Sequence, residues 1–224
     1  MRCLLCDGIK ERTGLYDALW SEDPLCQTCR SQWQRKDIRF KVDGVPLYSC
    51  YVYNEAFSSC LIQYKECMDE ALAPVFLYGL KEKLRRMYRG YTIVLMPSSA
   101  SRIRERGFHH LEKIFAPLGL PVVDAFEKLT DTPQKSMRAE ERENIRNLIR
   151  LKEGIRLPRR IVLADDTMTT GATIRAALSK LDRKRHRIRI FTISVNPRTI
   201  PDKLPFPADI AIINKSASAG KRRK

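Results

Sequence analysis

The sequence predicts an α/β protein: a doubly wound, mostly parallel sheet with a small metal-binding module ahead of it. Three observations lead there. Short apolar runs at 92–96, 121–126, 160–164 and 187–195 alternate with segments of helical period, as in successive β-α-β units. The run Ile161–Ala164 has no polar alternation, which suits a strand buried on both faces. Finally, Cys3-x-x-Cys6 and Cys26-x-x-Cys29 occupy the first thirty residues. These features divide the chain into a cysteine module at 1–43, a sheet domain at 44–215 and a tail at 216–224.

The module comes first. Nineteen residues separate the two CxxC motifs, a spacing at which four thiolates can complete a tetrahedron around structural zinc. A segment of about forty residues buries too little surface to hold itself together, so a zinc-ribbon-like module needs its metal. Trp20 and Trp33 are expected to pack around the site. The remaining cysteines, Cys50, Cys60 and Cys67, show no such pairing and read as core. Seven cysteines in a chain with no signal peptide and no membrane-length apolar stretch point to the cytoplasm.

Next, residues 46–53 read as a strand of a hairpin that turns near Asp43-Gly44. Helices are expected at 56–65 and, as one long element, at 71–88. The strand at 92–96 leads into Ser101-Arg-Ile-Arg-Glu-Arg-Gly, read as a basic loop before a helix that ends near Pro117. A loop leaving a parallel strand at its C-terminal end faces the ligand crevice. There Arg102, Arg104 and Arg106 could neutralise pyrophosphate or a nucleic-acid backbone. A strand at 121–126, a polar mobile loop at 130–138 and a charged helix at 139–150 follow. The tail from Ser216 lacks apolar bulk and reads as disordered.

The stretch that organises the chain is 160–173. After the apolar run come Asp165 and Asp166, and then Thr169, Thr170, Gly171 and Thr173 open a helix. Backbone N–H groups and the helix dipole favour an anion there, and the glycine permits close approach. The acidic pair cannot serve a phosphate. It suits the vicinal hydroxyls of a ribose, or a Mg²⁺ held with substrate oxygens. This segment resembles the 5-phosphoribosyl-1-pyrophosphate (PRPP) motif of type I phosphoribosyltransferases, which implies a sheet of that kind. The resemblance assigns Asp165, Asp166, Thr167, Met168, Thr169, Thr170, Gly171, Ala172 and Thr173 to a PRPP or ribose-phosphate site, with Mg²⁺ as its companion. Thr167 stands where an aliphatic residue is usual.

The formal charge is +16, and residues 131–224 carry 23 basic against 10 acidic side chains. Such a field suits a polyanion, with nucleic acid the leading candidate and phosphorylated metabolites or solubility the alternatives. Arg183, Lys184, Arg185 and Arg187 are the candidate nucleic-acid contacts.

Taken together, the two CxxC motifs, Arg104-x-Arg106-Gly107-Phe108, the loop with Gln134 and Lys135 followed by Arg142 and Asn144, and the Asp165–Thr173 motif resemble the ComF late-competence family. The resemblance implies a zinc module on a phosphoribosyltransferase-like domain and a role in uptake of transforming DNA beside a helicase-like partner. It also adds Lys65, Gln134, Lys135 and Arg142 as contacts to pyrophosphate or nucleic acid. His109 replaces the asparagine usual after Arg-Gly-Phe. Two readings of function follow: a protein that handles incoming single-stranded DNA, or a working PRPP-dependent transferase of the amidophosphoribosyltransferase kind. No base-recognition hood, glutaminase nucleophile or acyl-transfer arrangement is identifiable, and catalytic residues are left unassigned.

Overall fold

A computed structural model describes residues 2–10, 23–128 and 149–201. Trp20, Gln134, Lys135, Arg142, the expected loop at 130–138, most of the expected helix at 139–150 and the tail lie outside them.

Cys26 caps a short helix, α1 (Gln27–Ser31). The chain then forms a hairpin of β1 (Arg35–Val42) and β2 (Val45–Val52). Its two turn residues, Asp43 and Gly44, both have positive φ (49° and 81°), the twist that two-residue hairpin turns prefer. β1 pairs antiparallel along β2, so residues 35–42 join the same sheet as 45–52. Asn54 caps α2 (Glu55–Glu66) by accepting from Phe57 N at 2.9 Å.

The single helix expected over 71–88 is instead a 3₁₀ turn (Glu70–Val75) and a separate α3 (Lys81–Met87). Pro74 removes a helical donor, and Gly79 adopts φ +66°, so the period of apolar residues survives while the helix does not. After β3 (Thr92–Leu95), the basic loop proves to be helical, α4 (Ala100–Arg106). Ser99 caps its start and Gly107, at φ +80°, ends it. Then come α5 (His110–Phe115), β4 (Val122–Val123), β5 (Phe126–Lys128) and β6 (Ile149–Leu151). The expected strand at 121–126 is thus shared between two sheets, and Ile149 and Arg150 are strand, not helix. β7 (Arg160–Met168), α6 (Ala172–Ser179) and β8 (Arg187–Val195) complete the order.

The main sheet has six strands in the order β1-β2-β8-β7-β3-β4. Only β1 is antiparallel to its neighbour; β5 and β6 form a separate antiparallel pair. From β3 the chain moves outward to β4, whereas from β7 it moves the other way to β8. The loops leaving β3 and β7 therefore diverge and open a crevice at the C-terminal ends of these two strands. Connections that leave neighbouring strands in opposite directions are what the doubly wound expectation requires. Trp33 seats the N-terminal segment on the core through Tyr51, Phe57 and Phe76, with ring centroids 4.8–5.8 Å apart.

Candidate functional site

The crevice between β3 and β7 is lined by Lys65, Pro97, Ser98, Ser99, Arg102, Arg106, His110, Lys128, Asp165, Asp166 and Thr173 among others. β3 stops at Leu95, paired with Ala164, while β7 continues to Met168 beside β8. Asp165 and Asp166 are therefore inside a strand, not after it, and stand one step beyond the end of β3. This geometry frees one side of β7 at the level of the acids.

The two acids are not equivalent. Asp166 is buried and accepts from Lys65 Nζ at 2.9 Å and from His110 Nε2 at 3.0 Å. His110 Nδ1 lies 3.2 Å from Arg106 Nη1. A guanidinium can only donate, so Nδ1 accepts and the proton sits on Nε2, directed at Asp166. Arg106 Nε in turn donates to Lys65 O at 2.7 Å. Lys65, Asp166, His110 and Arg106 thus close a ring, and Tyr64 fixes its corner by donating to His110 O at 2.7 Å.

Burial lowers His110 to about 4 and keeps it neutral, outweighing the pull of Asp166. Burial alone would raise Asp166, but the Lys65 charge and the His110 hydrogen bond hold its carboxyl well below the usual range. Asp165 moves the other way. Burial and the Asp166 charge push it up, and its Oδ1 accepts from Asp166 N at 2.9 Å. Only partly buried, Asp165 is the acid that faces the crevice with capacity to spare.

The turn after β7 explains its small residues. Gly171 has φ +75°, and a Cβ there would collide with Met168 Cε. Thr170 Oγ1 accepts from Ala172 N at 3.3 Å, and the Thr170 carbonyl accepts from Arg175 Nη1 at 2.8 Å. Thr199 Oγ1 donates to the Thr169 carbonyl. The N-terminus of α6 then faces the crevice with Thr173 in the lining. Thr167 and Met168 point elsewhere: Thr167 Oγ1 meets Ser194 Oγ at 2.8 Å, and Met168 is buried in the core.

Of the predicted arginines, Arg102 lines the crevice from the first turn of α4, whereas Arg104 is exposed and outside it. Arg106 lines it too, but it is buried and committed to the ring. Lys65, expected as a contact to pyrophosphate or nucleic acid, lines the crevice with its ammonium paired to Asp166 at 2.9 Å. His110 and Lys128 were not singled out from the sequence. His109 caps α5 through Nδ1 and does not line the crevice. Arg183, Lys184, Arg185 and Arg187 precede or open β8, at the end of the sheet opposite the acids, and none of them lines the crevice. These four side chains are thus not gathered around the acid pair.

At the N-terminus, Cys3, Cys6, Cys26 and Cys29 place their sulfurs within 4.8 Å of one another. Cys6 Sγ and Cys26 Sγ are 3.8 Å apart. A tetrahedron with Zn–S bonds of about 2.3 Å requires sulfurs about 3.8 Å apart, so the cluster could hold a metal of that size. Backbone N–H groups of Cys26 and Cys6 offset the cost of burying Cys3 and lower it to about 6, whereas burial and the neighbouring thiols push Cys29 up, so the four do not ionise together without a cation among them. Arg30 ties this cluster to the domain, donating to Asp23 at 2.6 Å and to the Val75 carbonyl at 3.1 Å. Cys50 and Cys60 are buried as expected, but Cys67 is exposed.

A half-buried carboxylate, a helix start and basic side chains meet at the switch point of a mostly parallel sheet, which defines a doubly wound α/β fold with a ligand crevice. Solved structures similar to it include a hypoxanthine phosphoribosyltransferase from Staphylococcus aureus (11% identical, TM-score 0.40, covering 61% of this chain and 71% of that one). Another is an adenine phosphoribosyltransferase from Trypanosoma brucei (15% identical, TM-score 0.36, covering 84% and 87%). No family model matches the chain. Competence protein ComFC of Streptococcus pneumoniae is 31% identical over 176 residues, 77% of each chain. Competence protein ComFC of Bacillus subtilis is 23% identical over 206 residues, 78% of this chain and 86% of that one. The chain belongs to the ComF family. Among the described residues, no helix is long and apolar enough to cross a membrane.

Proposed function

We propose that this protein handles incoming single-stranded DNA in natural transformation and keeps a pocket for a phosphorylated sugar. The observation that carries this reading is the 31% identity, across three quarters of the chain, to a relative named as a competence protein. The charge of +16 supports it, since a DNA-handling protein needs a cationic surface. In this reading Asp165 takes the ribose hydroxyls of PRPP or a nucleotide end, or shares a Mg²⁺ with them. The Gly171–Thr173 turn takes the 5′-phosphate, and Arg102 and Lys128 face the more distal phosphates. The family resemblance adds Gln134, Lys135 and Arg142 as further contacts to pyrophosphate or nucleic acid. The metal at the four cysteines is zinc, with every position filled and a structural role. The protein works in the cytoplasm, where thiols stay reduced, and passes DNA to or from a helicase-like partner.

A second reading, a PRPP-dependent transferase, is favoured by the same crevice, which offers the donor its hydroxyl and phosphate contacts. No residue positioned for an acceptor base or amine is identifiable among those described, so the first reading is preferred.

The test is titration with a labelled single-stranded oligonucleotide and, separately, with PRPP–Mg²⁺. Binding of the oligonucleotide with little sequence preference, weakening steeply with salt, is expected. No binding at about 50 mM salt, where phosphate contacts are strongest, sinks the DNA-handling reading.

A further inference from the structure

Three segments far apart in sequence meet at the N-terminal ends of β3, β7 and β8. Residues 85–91 close α3 and enter β3, residues 156–160 enter β7, and residues 182–189 enter β8. Together they carry eleven basic side chains and one acid, and ten of the eleven are arginine. Contacts bind the segments into one surface. Arg187 N donates to Arg159 O at 2.6 Å, and Arg160 and Arg187 are register partners on adjacent strands. The Arg160 guanidinium lies against Gly90, and Arg189 Nη1 donates to Met87 O at 3.1 Å.

Arg85, Arg89, Arg159, Arg160, Arg185 and Arg187 are all exposed. The single acid, Asp182, already pairs with Arg185 at 3.3 Å. Helix-end complementarity accounts for Arg85 and Arg89. It does not account for Arg160 beside Arg187, where like charges on neighbouring strands repel.

We infer that this N-terminal edge is a polyanion site that takes the phosphate backbone of DNA, apart from the sugar-phosphate crevice at the other end of the strands. The inference presupposes the DNA-handling reading and specifies the surface it uses. Guanidinium forks match phosphate oxygens, which suits an arginine-rich rather than lysine-rich edge. An anionic membrane is disfavoured, since none of the exposed large apolar side chains (Leu4, Ile9, Ile62, Met68) lies in these segments. Tyr88 and Tyr91 are buried, Arg189 stacks on Tyr91 at 4.8 Å, and the half-buried His186 ring is tied through Nδ1 to Pro158 O at 2.9 Å, so neither tyrosine offers an open face to a base. The edge therefore holds backbone without reading sequence, and a duplex end fits it as well as a single strand.

The test uses the full chain and a fluorescein-labelled thirty-nucleotide oligothymidylate, read by anisotropy from about 50 to 250 mM salt. Each single-strand phosphate that the protein no longer neutralises lowers the slope of log affinity against log salt by about 0.7. Arg89→Gln/Arg160→Gln/Arg187→Gln should therefore lower the slope by about 2 and weaken binding roughly tenfold or more, while PRPP–Mg²⁺ binding stays at the wild-type value. The matching triple substitution to lysine should keep the slope. Two results overturn the inference yet leave the DNA-handling reading intact: a glutamine triple that binds like wild type, or a lysine triple that loses as much as the glutamine triple. A third, loss of phosphatidylserine-vesicle binding with DNA binding unchanged, reassigns the edge to membranes and also overturns it. A wild-type protein that binds no DNA sinks both.

Discussion

Asp166→Asn is the substitution that tests the ring beside the crevice. The buried carboxylate accepts from Lys65 and His110 at 2.9 and 3.0 Å. Both donors reach the same oxygen, Oδ2, so asparagine can keep both hydrogen bonds through its amide oxygen but removes the negative charge that offsets partly buried Lys65. Removing one member of a buried charge pair costs about 3–5 kcal/mol. Lys65 keeps 21% of its side chain exposed and can swing toward water, which places the expected loss at about 2–4 kcal/mol. For a chain of this length about 3 kcal/mol corresponds to a fall of roughly 6–12 °C in melting temperature. Asp165→Asn, one residue away, should leave stability within about 1 kcal/mol of wild type, because it relieves the repulsion between adjacent carboxylates. It should instead weaken PRPP–Mg²⁺ binding by about 2–4 kcal/mol, the order of the charge-assisted hydrogen bonds removed. Urea unfolding of both variants without ligand, with PRPP titrations alongside, separates the roles. Asp166→Asn unfolding within about 0.5 kcal/mol of wild type, or equal damage from the two substitutions, would refute the division of labour between these acids.

Stability should also depend on pH through His110. Its folded pKa, about 4, lies below the unfolded 6.5, so the folded state resists a proton the unfolded chain accepts. The stabilisation is complete above pH 6.5 and is lost as pH falls toward 4, by up to about 3 kcal/mol. His110→Gln, which cannot titrate, should flatten that window in urea titrations; an unchanged pH profile would remove His110 from the account. Gly171→Ala forces a side chain into a left-handed position and against Met168, so PRPP binding should weaken at least about tenfold, with about 1–3 kcal/mol lost in melting experiments. One zinc per chain should copurify under reducing conditions and be measurable by elemental analysis. Stripping it should shift Trp33 emission to the red, since that ring is 4% exposed and bridges α1 to the core. Zinc-free protein with unchanged Trp33 emission would show that the cysteine cluster folds without metal.

Some of this was legible in the residues and some was not, for definite reasons. Asp43-Gly44 marks its hairpin because both residues tolerate positive φ, and the 187–195 strand carries an unmistakable apolar run. The helix expected at 71–88 failed because apolar spacing persists through Pro74 and Gly79, although the backbone cannot follow it. The turn chemistry of these two residues should have outweighed the period. The reading of 101–107 as a loop failed for the converse reason: Ser99 and Gly107 are a helix start and stop, but three arginines between them read as a ligand-binding turn. The acid pair was found from its local motif, yet its inequality depends on Lys65 and His110, respectively 101 and 56 residues away in sequence. No local signal marks such partners. Likewise, that Arg183–Arg187 stand opposite the crevice follows from strand direction, which charge counting along the chain does not register.

The sheet's margins bear on how crowded this protein can become. An unpaired strand edge is a template onto which another chain can add, and growth of that kind ends in aggregates. Among the described residues one margin is β4, only two residues long, which offers almost nothing to pair with. The other is β1, eight residues long, but five of its positions are charged (Arg35, Lys36, Asp37, Arg39 and Lys41), and its register is interrupted between Arg35 and Ile38. Strand addition along β1 would stack those charges against a second set and would have to cross the irregularity. Several copies gathered along one polyanion would thus sit side by side without fusing their sheets, and neutralising Arg35, Arg39 and Lys41 would remove that safeguard.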